Sequence, residues 1–133
     1  MEWKIELLVV PVADVERAMR FYSEQVGFAV DHDTQIGEVR VVQLTPPGSA
    51  CSIALGNAIV DAPPGSAQGI QIVVSDIEAA RAELADRGVP VSEVQHYDGA
   101  DRVPGRGGDW NSFVFFNDPD GNGWALQERP ARG

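Results

Sequence analysis

The sequence predicts an α+β protein in which one β-α-β-β-β unit is used twice. Three observations predict it. Two apolar, strand-like runs each lead into a helical pattern, three more strand-like stretches follow each helix, and the punctuation repeats at a near-constant offset. Asp14 and Asp76 correspond at an offset of 62, and Gly27 and Gly88 at 61. Each aspartate directly precedes a helical periodicity, where its carboxylate can accept from free helix N–H groups. Each glycine follows one, where a left-handed residue ends a helix.

The first strand, Leu7-Leu8-Val9-Val10, sets Leu8, Val10 and Val12 against Leu7, Val9 and Pro11. Both faces are apolar, so one is expected to meet helices and the other a packed or ligand-filled interior. The first helix, about 15–25, places Val15, Ala18, Met19, Tyr22 and Val26 on one stripe. Strands are expected at 28–33, 38–45 and 51–56, the last two separated by Pro46-Pro47-Gly48. The second half opens with Ile70-Gln71-Ile72-Val73-Val74 and a helix at about 77–87 carrying Ile77, Ala80 and Leu84. Strands are then expected at 89–97, 110–117 and 123–128, with the turn Asp118-Pro119-Asp120-Gly121-Asn122 before the last. Gly48 and Gly121 correspond at an offset of 73, so about eleven extra residues fall in the second half. They fit the Gly- and Asp-rich stretch 98–109, expected to be a lid beside a pocket or a disordered loop. Plain ferredoxin-like topology leaves strands over in both halves.

At 133 residues the chain suits a single domain spanning 1–133, with modules at about 1–56 and 69–129 and a linker at about 57–68. Twenty acidic against ten basic side chains give a net charge of -10. That field repels phosphate backbones, and Asp98, Asp101 and Asp109 surround Arg102 and Arg106, so no nucleic-acid partner is expected. The charge either keeps the protein soluble or favours a cationic ligand. No apolar run approaches the ~20 residues that cross a bilayer, so no membrane partner is expected. The single Cys51 makes neither an intramolecular disulfide nor a thiolate cluster. The opening Met1-Glu2-Trp3-Lys4 lacks the basic region of a secretory signal, and a cytoplasmic location is expected.

Three stretches together carry a family resemblance. They are Val10-Pro11-Val12-Ala13-Asp14-Val15 with Ala18, Phe21-Tyr22 and Gly27-Phe28; Ile72-Val73-Val74-Ser75-Asp76-Ile77-Glu78-Ala79-Ala80; and Phe116-Asn117-Asp118-Pro119-Asp120-Gly121-Asn122. In this order and over nearly the whole chain, the sequence resembles the glyoxalase/bleomycin-resistance/dioxygenase superfamily, the vicinal oxygen chelate proteins. The resemblance implies two βαβββ modules forming a cup-shaped, curled mixed sheet with the helices outside.

It also implies where a divalent metal would be held. The family's opening-strand ligands lie seven residues before each capping aspartate, which gives Leu7 and Gly69. Its closing-strand ligands lie four residues after each turn glycine, which gives Ser52 and Ala125. Leucine, glycine and alanine offer no side-chain lone pair, and a neutral hydroxyl is a weak ligand. A slip that brings Glu6 to the first position turns Leu7 toward the helices. His32, within Asp31-His32-Asp33, is expected to be exposed. The expectation is a protein without a metal and without any cofactor.

Ligand contacts are expected from Trp110, Phe113, Phe115, Gln71, Gln127, Leu7 and Ser52. Trp110 is placed near the rim, where an indole either stacks on a planar ligand or packs in the core. Gln71 and Gln127 share a parity with Gly69 and Ala125, and their amides pair with protein, water or a ligand. Trp124 is assigned to the core. Trp3 is open between an interface, a pocket wall and plain surface. The functional expectation is metal-free binding of an aromatic or cationic small molecule by a homodimer, resembling the antibiotic-sequestering bleomycin-resistance members. The alternative is a lyase, isomerase or dioxygenase acting without a metal or through unexpected metal ligands. Its catalytic residues are unknown, with Glu6, His96 and Tyr97 as acid–base candidates. A purely structural module is the third possibility.

Overall fold

The structure is a computed structural model and describes residues 1–56 and 59–131. Asn57 and Ala58, at the start of the expected linker, lie outside the described residues. The chain forms two compact units: Met1–Ala67 with Asp118–Asn122, and Gln68–Asn117 with Gly123–Gly133.

In the first unit β1 (Leu7–Pro11) leads to α1 (Val15–Arg20), then β2 (Ala29–Ile36), β3 (Val39–Thr45) and β4 (Ser52–Gly56). The sheet order is β1-β4-β3-β2. β1 runs parallel to β4, and the other pairs are antiparallel. Asp14 caps α1 by accepting from the Arg17 N–H at 3.1 Å, as its position before the periodicity predicts. The helix expected over 15–25 changes character part way: Phe21–Val26 is π-helical and ends at Gly27 with φ 92. A π-turn absorbs one extra residue, and the Asp-to-Gly interval here is one residue longer than in the second half. α1 packs on β3 and β4 over Val10, Ala18, Val42, Leu44 and Leu55, all with no exposed surface.

The turn 118–122 belongs to this unit and is built around two buried polar residues, Asp118 and Asn122. The Asp118 carboxylate accepts from the Tyr22 hydroxyl at 2.7 Å, from the Asp120 and Asn122 N–H groups at 2.9 Å, and from the Asn122 amide at 2.8 Å. The Asn122 side chain also donates to the Pro11 carbonyl at 2.8 Å and accepts from the Ala67 N–H at 3.0 Å. Burying a carboxylate is costly unless its oxygens are fully hydrogen-bonded, and here they are.

In the second unit β5 (Ile70–Val74) leads to α2 (Ile77–Asp86), then β6 (Gln95–Asp98), β7 (Asp101–Pro104), β8 (Phe113–Asn117) and β9 (Gly123–Glu128). The sheet order is β5-β9-β8-β6-β7, with β5 parallel to β9. Asp76 caps α2 through the Ala79 N–H at 3.0 Å. α2 packs on β8 and β9, and Trp124 lies buried there against Phe116, their rings stacked 6.1 Å apart.

Two expectations are corrected. The stretch 98–109 is not a single loop, because residues 101–104 return as β7 against β6. The hairpin closes on Gly99-Ala100 with Gly99 at φ 65, which an L side chain disfavours and a two-residue hairpin loop requires. The strands expected at 89–97 and 110–117 shorten to Gln95–Asp98 and Phe113–Asn117. Val89 instead anchors the helix exit: it is buried and its N–H donates to the Leu84 carbonyl at 3.0 Å. The fold is α+β, with two mixed sheets and few helices. No helix among the described residues is long and apolar enough to cross a membrane.

Candidate functional site

Strand alternation and register decide what faces away from α2 in the second unit. Ala125 lies opposite Gln71 on one side and Phe115 on the other, while Gln127 lies opposite Val73 and Phe113. Gln95 lies opposite Phe113 and Pro104, and Tyr97 opposite Arg102. This face therefore carries a continuous aromatic row. Tyr97 meets Phe113 edge-on at 5.3 Å, and Phe113 stacks on Phe115 at 6.0 Å with an interplanar angle of 12°. The Arg102 guanidinium carbon sits 4.2 Å from the Phe115 ring centroid.

Beside this row is a cavity of about 640 Å³, lined among others by Gly69, Tyr97, Arg102, Phe115, Asn117 and Ala125. Gly69 borders open space, with nothing within 4 Å of where a Cβ would stand. The volume falls in the range that takes a drug-sized molecule. Small residues at 69 and 125 leave room, and the rings and guanidinium supply a flat, polarisable surface.

The expected ligand residues separate on this geometry. Phe113, Phe115, Gln71 and Gln127 share the face. Gln71 is exposed, and Gln127 donates its amide to the Trp110 carbonyl at 2.8 Å. Trp110 is 52% exposed with φ 61, and it lines a different hollow of about 500 Å³ together with Asp76, Glu78, Arg106 and Glu128. There Arg106 pairs with Glu128 and reaches Glu78 at 3.5 Å. The Arg106 guanidinium, and then the Ile77 N–H that it accepts at 2.9 Å, hold the Glu128 carboxyl below its usual range. The same pairing raises Arg106. Arg106 is thus held between two carboxylates at the start of α2, and the carboxylates of this hollow outnumber its guanidiniums.

Leu7 and Ser52 lie in the first unit, side by side in the β1–β4 register. Ser52 is buried, its hydroxyl 2.7 Å from that of Thr45, which in turn donates to Asp31. On the helix side of that sheet Arg40 forms a fork with Asp33, at 3.0 and 2.7 Å, and approaches Glu16 at 3.5 Å. Hydrogen bonds from Arg40 lower Asp33, and Asp33 in turn raises Arg40. His32 is exposed.

The residues at the family's metal positions do not fit a metal. Leu7, Gly69 and Ala125 have no side-chain donor atom, and the Ser52 hydroxyl is engaged with Thr45. The register further sets Gln71, rather than Gly69, beside Ala125. Among the described residues no three His, Cys, Asp or Glu side chains gather as a metal site. The acid–base candidates fall in different units. Glu6 is exposed in the first unit, while His96 and Tyr97 are neighbours on β6 whose side chains alternate. His96 Nδ1 donates to the Gly105 carbonyl at 2.9 Å, which ties the ring to its own loop.

Sequence reasoning passed over Arg102, treated only as a basic residue among acids. The available signal was Asp98-Gly99: an Asp-Gly pair between alternating residues marks a tight hairpin and sets Tyr97 across from Arg102.

Several solved structures are similar to this chain. TnmS3, an antibiotic binding protein from Streptomyces sp. CB03234, is 34% identical, with 97% of this chain and 98% of that one covered and a TM-score of 0.77. A glyoxalase/bleomycin resistance protein from the same Streptomyces is 35% identical, covering 93% and 99% with a TM-score of 0.72. A superfamily member from Sphaerobacter thermophilus DSM 20745 is 29% identical, covering 96% and 98% with a TM-score of 0.76. No curated protein matches the chain. Residues 4–126 match the Glyoxalase/Bleomycin resistance protein/Dioxygenase superfamily, and the chain belongs to that family.

Proposed function

We propose that this chain is a metal-free small-molecule-binding protein that sequesters a planar aromatic ligand, in the manner of an antibiotic-resistance protein. The observation that carries this is the aromatic row Tyr97–Phe113–Phe115 beside a cavity of about 640 Å³ whose family ligand positions, Gly69 and Ala125, hold residues too small to fill it and unable to bind a metal. The likeness to TnmS3, at 34% identity over nearly the full length, supports antibiotic binding as the ligand class. The chain acts as one cytoplasmic domain and as a homodimer. The exposed apolar N-terminal residues support the dimer: Trp3 is 88% and Ile5 71% exposed, ahead of half-exposed Leu7 and Leu8 on an edge strand.

Thermal unfolding with added ligands tests the proposal. A planar aromatic such as 1-pyrenemethanol raises the midpoint, because a ligand that binds only the folded state stabilises it by mass action. Zinc, manganese or iron(II) leaves the midpoint in place. A metal-induced rise with no response to the aromatic overturns the proposal, and native mass spectrometry reports the subunit count on the same sample.

A further inference from the structure

Taking the aromatic-cavity reading as its base, we infer that the cavity selects a planar ligand bearing an acidic group, and that Arg102 makes the selection. Arg17, Arg20, Arg40 and Arg106 each face a carboxylate. Among the described residues Arg102 has no carboxylate within ion-pair distance and no side-chain hydrogen bond, only the Phe115 ring at 4.2 Å. Arg81 and Arg129 also lack a carboxylate, but they donate to the Ser92 and Pro130 carbonyls, whereas Arg102 keeps its donors free for a ligand.

The cause is the hairpin. Arg102 pairs across it with Tyr97, and Asp98 pairs with Asp101 one step further along. Alternation therefore turns the Tyr97 and Arg102 side chains to one face and both aspartate side chains to the other, although Asp101 also borders the cavity without pairing with Arg102. The nearest acids in sequence are kept off the guanidinium by strand geometry.

A cation over a ring uses its charge there but keeps its N–H donors. Guanidinium has five, arranged as a fork that fits a carboxylate, and it stays protonated at any working pH. The cavity thus offers rings for a flat scaffold and a charged fork for an acidic substituent. A cationic ligand, which the overall charge of -10 suggests from sequence, meets a like charge at contact distance instead. At 0.15 M salt the screening length is about 8 Å, so the adjacent guanidinium outweighs the distant surface acids.

Three probes with one ring system test this: 1-pyrenecarboxylate, 1-pyrenemethanol and 1-pyrenemethylammonium, titrated by calorimetry into the full chain at 0.15 M salt. The expected order is carboxylate, then alcohol, then ammonium, with about tenfold between the first and the last. Arg102→Gln is expected to cut the carboxylate-to-alcohol affinity ratio about tenfold, and Arg102→Lys restores part of it, keeping the charge but losing the fork. An unchanged ratio in Arg102→Gln, or a wild-type protein that prefers the ammonium, overturns the inference and leaves the aromatic cavity standing. Failure of all three probes to bind, or a Phe115→Ala variant that binds all three as before, overturns the cavity reading and the inference with it.

Discussion

Replacing Tyr22 by phenylalanine isolates one hydrogen bond in the buried turn that carries the Asp-Pro-Asp-Gly-Asn motif. Tyr22 has no exposed surface, and its hydroxyl donates to the Asp118 carboxylate at 2.7 Å. Phenylalanine keeps the ring contacts, edge-on to Phe21 at 5.1 Å and stacked with Phe28 at 5.7 Å, so the packing term is nearly conserved. What is lost is a hydrogen bond to a charged acceptor, worth about 1.5–3 kcal/mol. The same carboxylate oxygen still accepts from the Asn122 amide at 2.8 Å and is not orphaned, which favours the lower end, about 1.5–2 kcal/mol. Asn122→Ala removes three side-chain bonds from a residue with no exposed surface and is expected to cost about 3–4 kcal/mol. Urea unfolding reads both as a lower midpoint at unchanged slope. The double variant should lose about 0.5 kcal/mol or more beyond the sum of the two, because it leaves the Asp118 oxygen that both groups bond without a partner. A Tyr22→Phe loss under about 0.5 kcal/mol, or strict additivity, refutes the view that this motif is a structural knot.

Five other substitutions probe separate parts of the molecule. Gly65→Ala should destabilise by about 3 kcal/mol or prevent folding, since Gly65 sits at φ 84 and a Cβ there collides with the Asp120 backbone carbonyl; Gly37→Ala, at φ 63 in open space, should cost only about 1–2 kcal/mol. Glu128 is held below its usual range by Arg106, so its contribution is fully present above the unfolded glutamate value of about 4.3 and is lost as the pH falls through the lower folded value. Glu128→Gln should therefore lower stability at pH 7 and flatten the acid limb of the stability curve, and an unchanged limb contradicts the pairing. Thr45→Val cuts the chain from Asp31 to the buried Ser52 hydroxyl and is expected to cost about 1–2 kcal/mol, whereas Ser52→Ala, which removes the buried hydroxyl itself, should cost less.

The repeat was legible because capping chemistry is local. Asp14 and Asp76 accept from N–H groups three residues on, and the side chain alone announces it. The closing strands were legible for the same reason, since turn residues bound them. The β6–β7 hairpin was not, because glycine-rich composition reads equally as loop or turn, and only pairing across Gly99-Ala100 distinguishes them. The π-helical stretch hid in a one-residue difference between two offsets that the repeat otherwise absorbs. Parity placed Gln71 and Gln127 on one face with Ala125, and the register adds Phe113 and Phe115 to it. Trp110 was expected at the rim from its place after the loop, but it lies before the strand with φ 61 and lines the other hollow.

Calorimetric titration of 1-pyrenemethanol into the chain, with and without a strong chelator, addresses the dependence of binding on a metal without any assumption about ligand charge. Equal affinity in both conditions, lost in Phe115→Ala, is the expected result. Binding that disappears with the chelator and returns with zinc, iron or manganese contradicts a metal-free site.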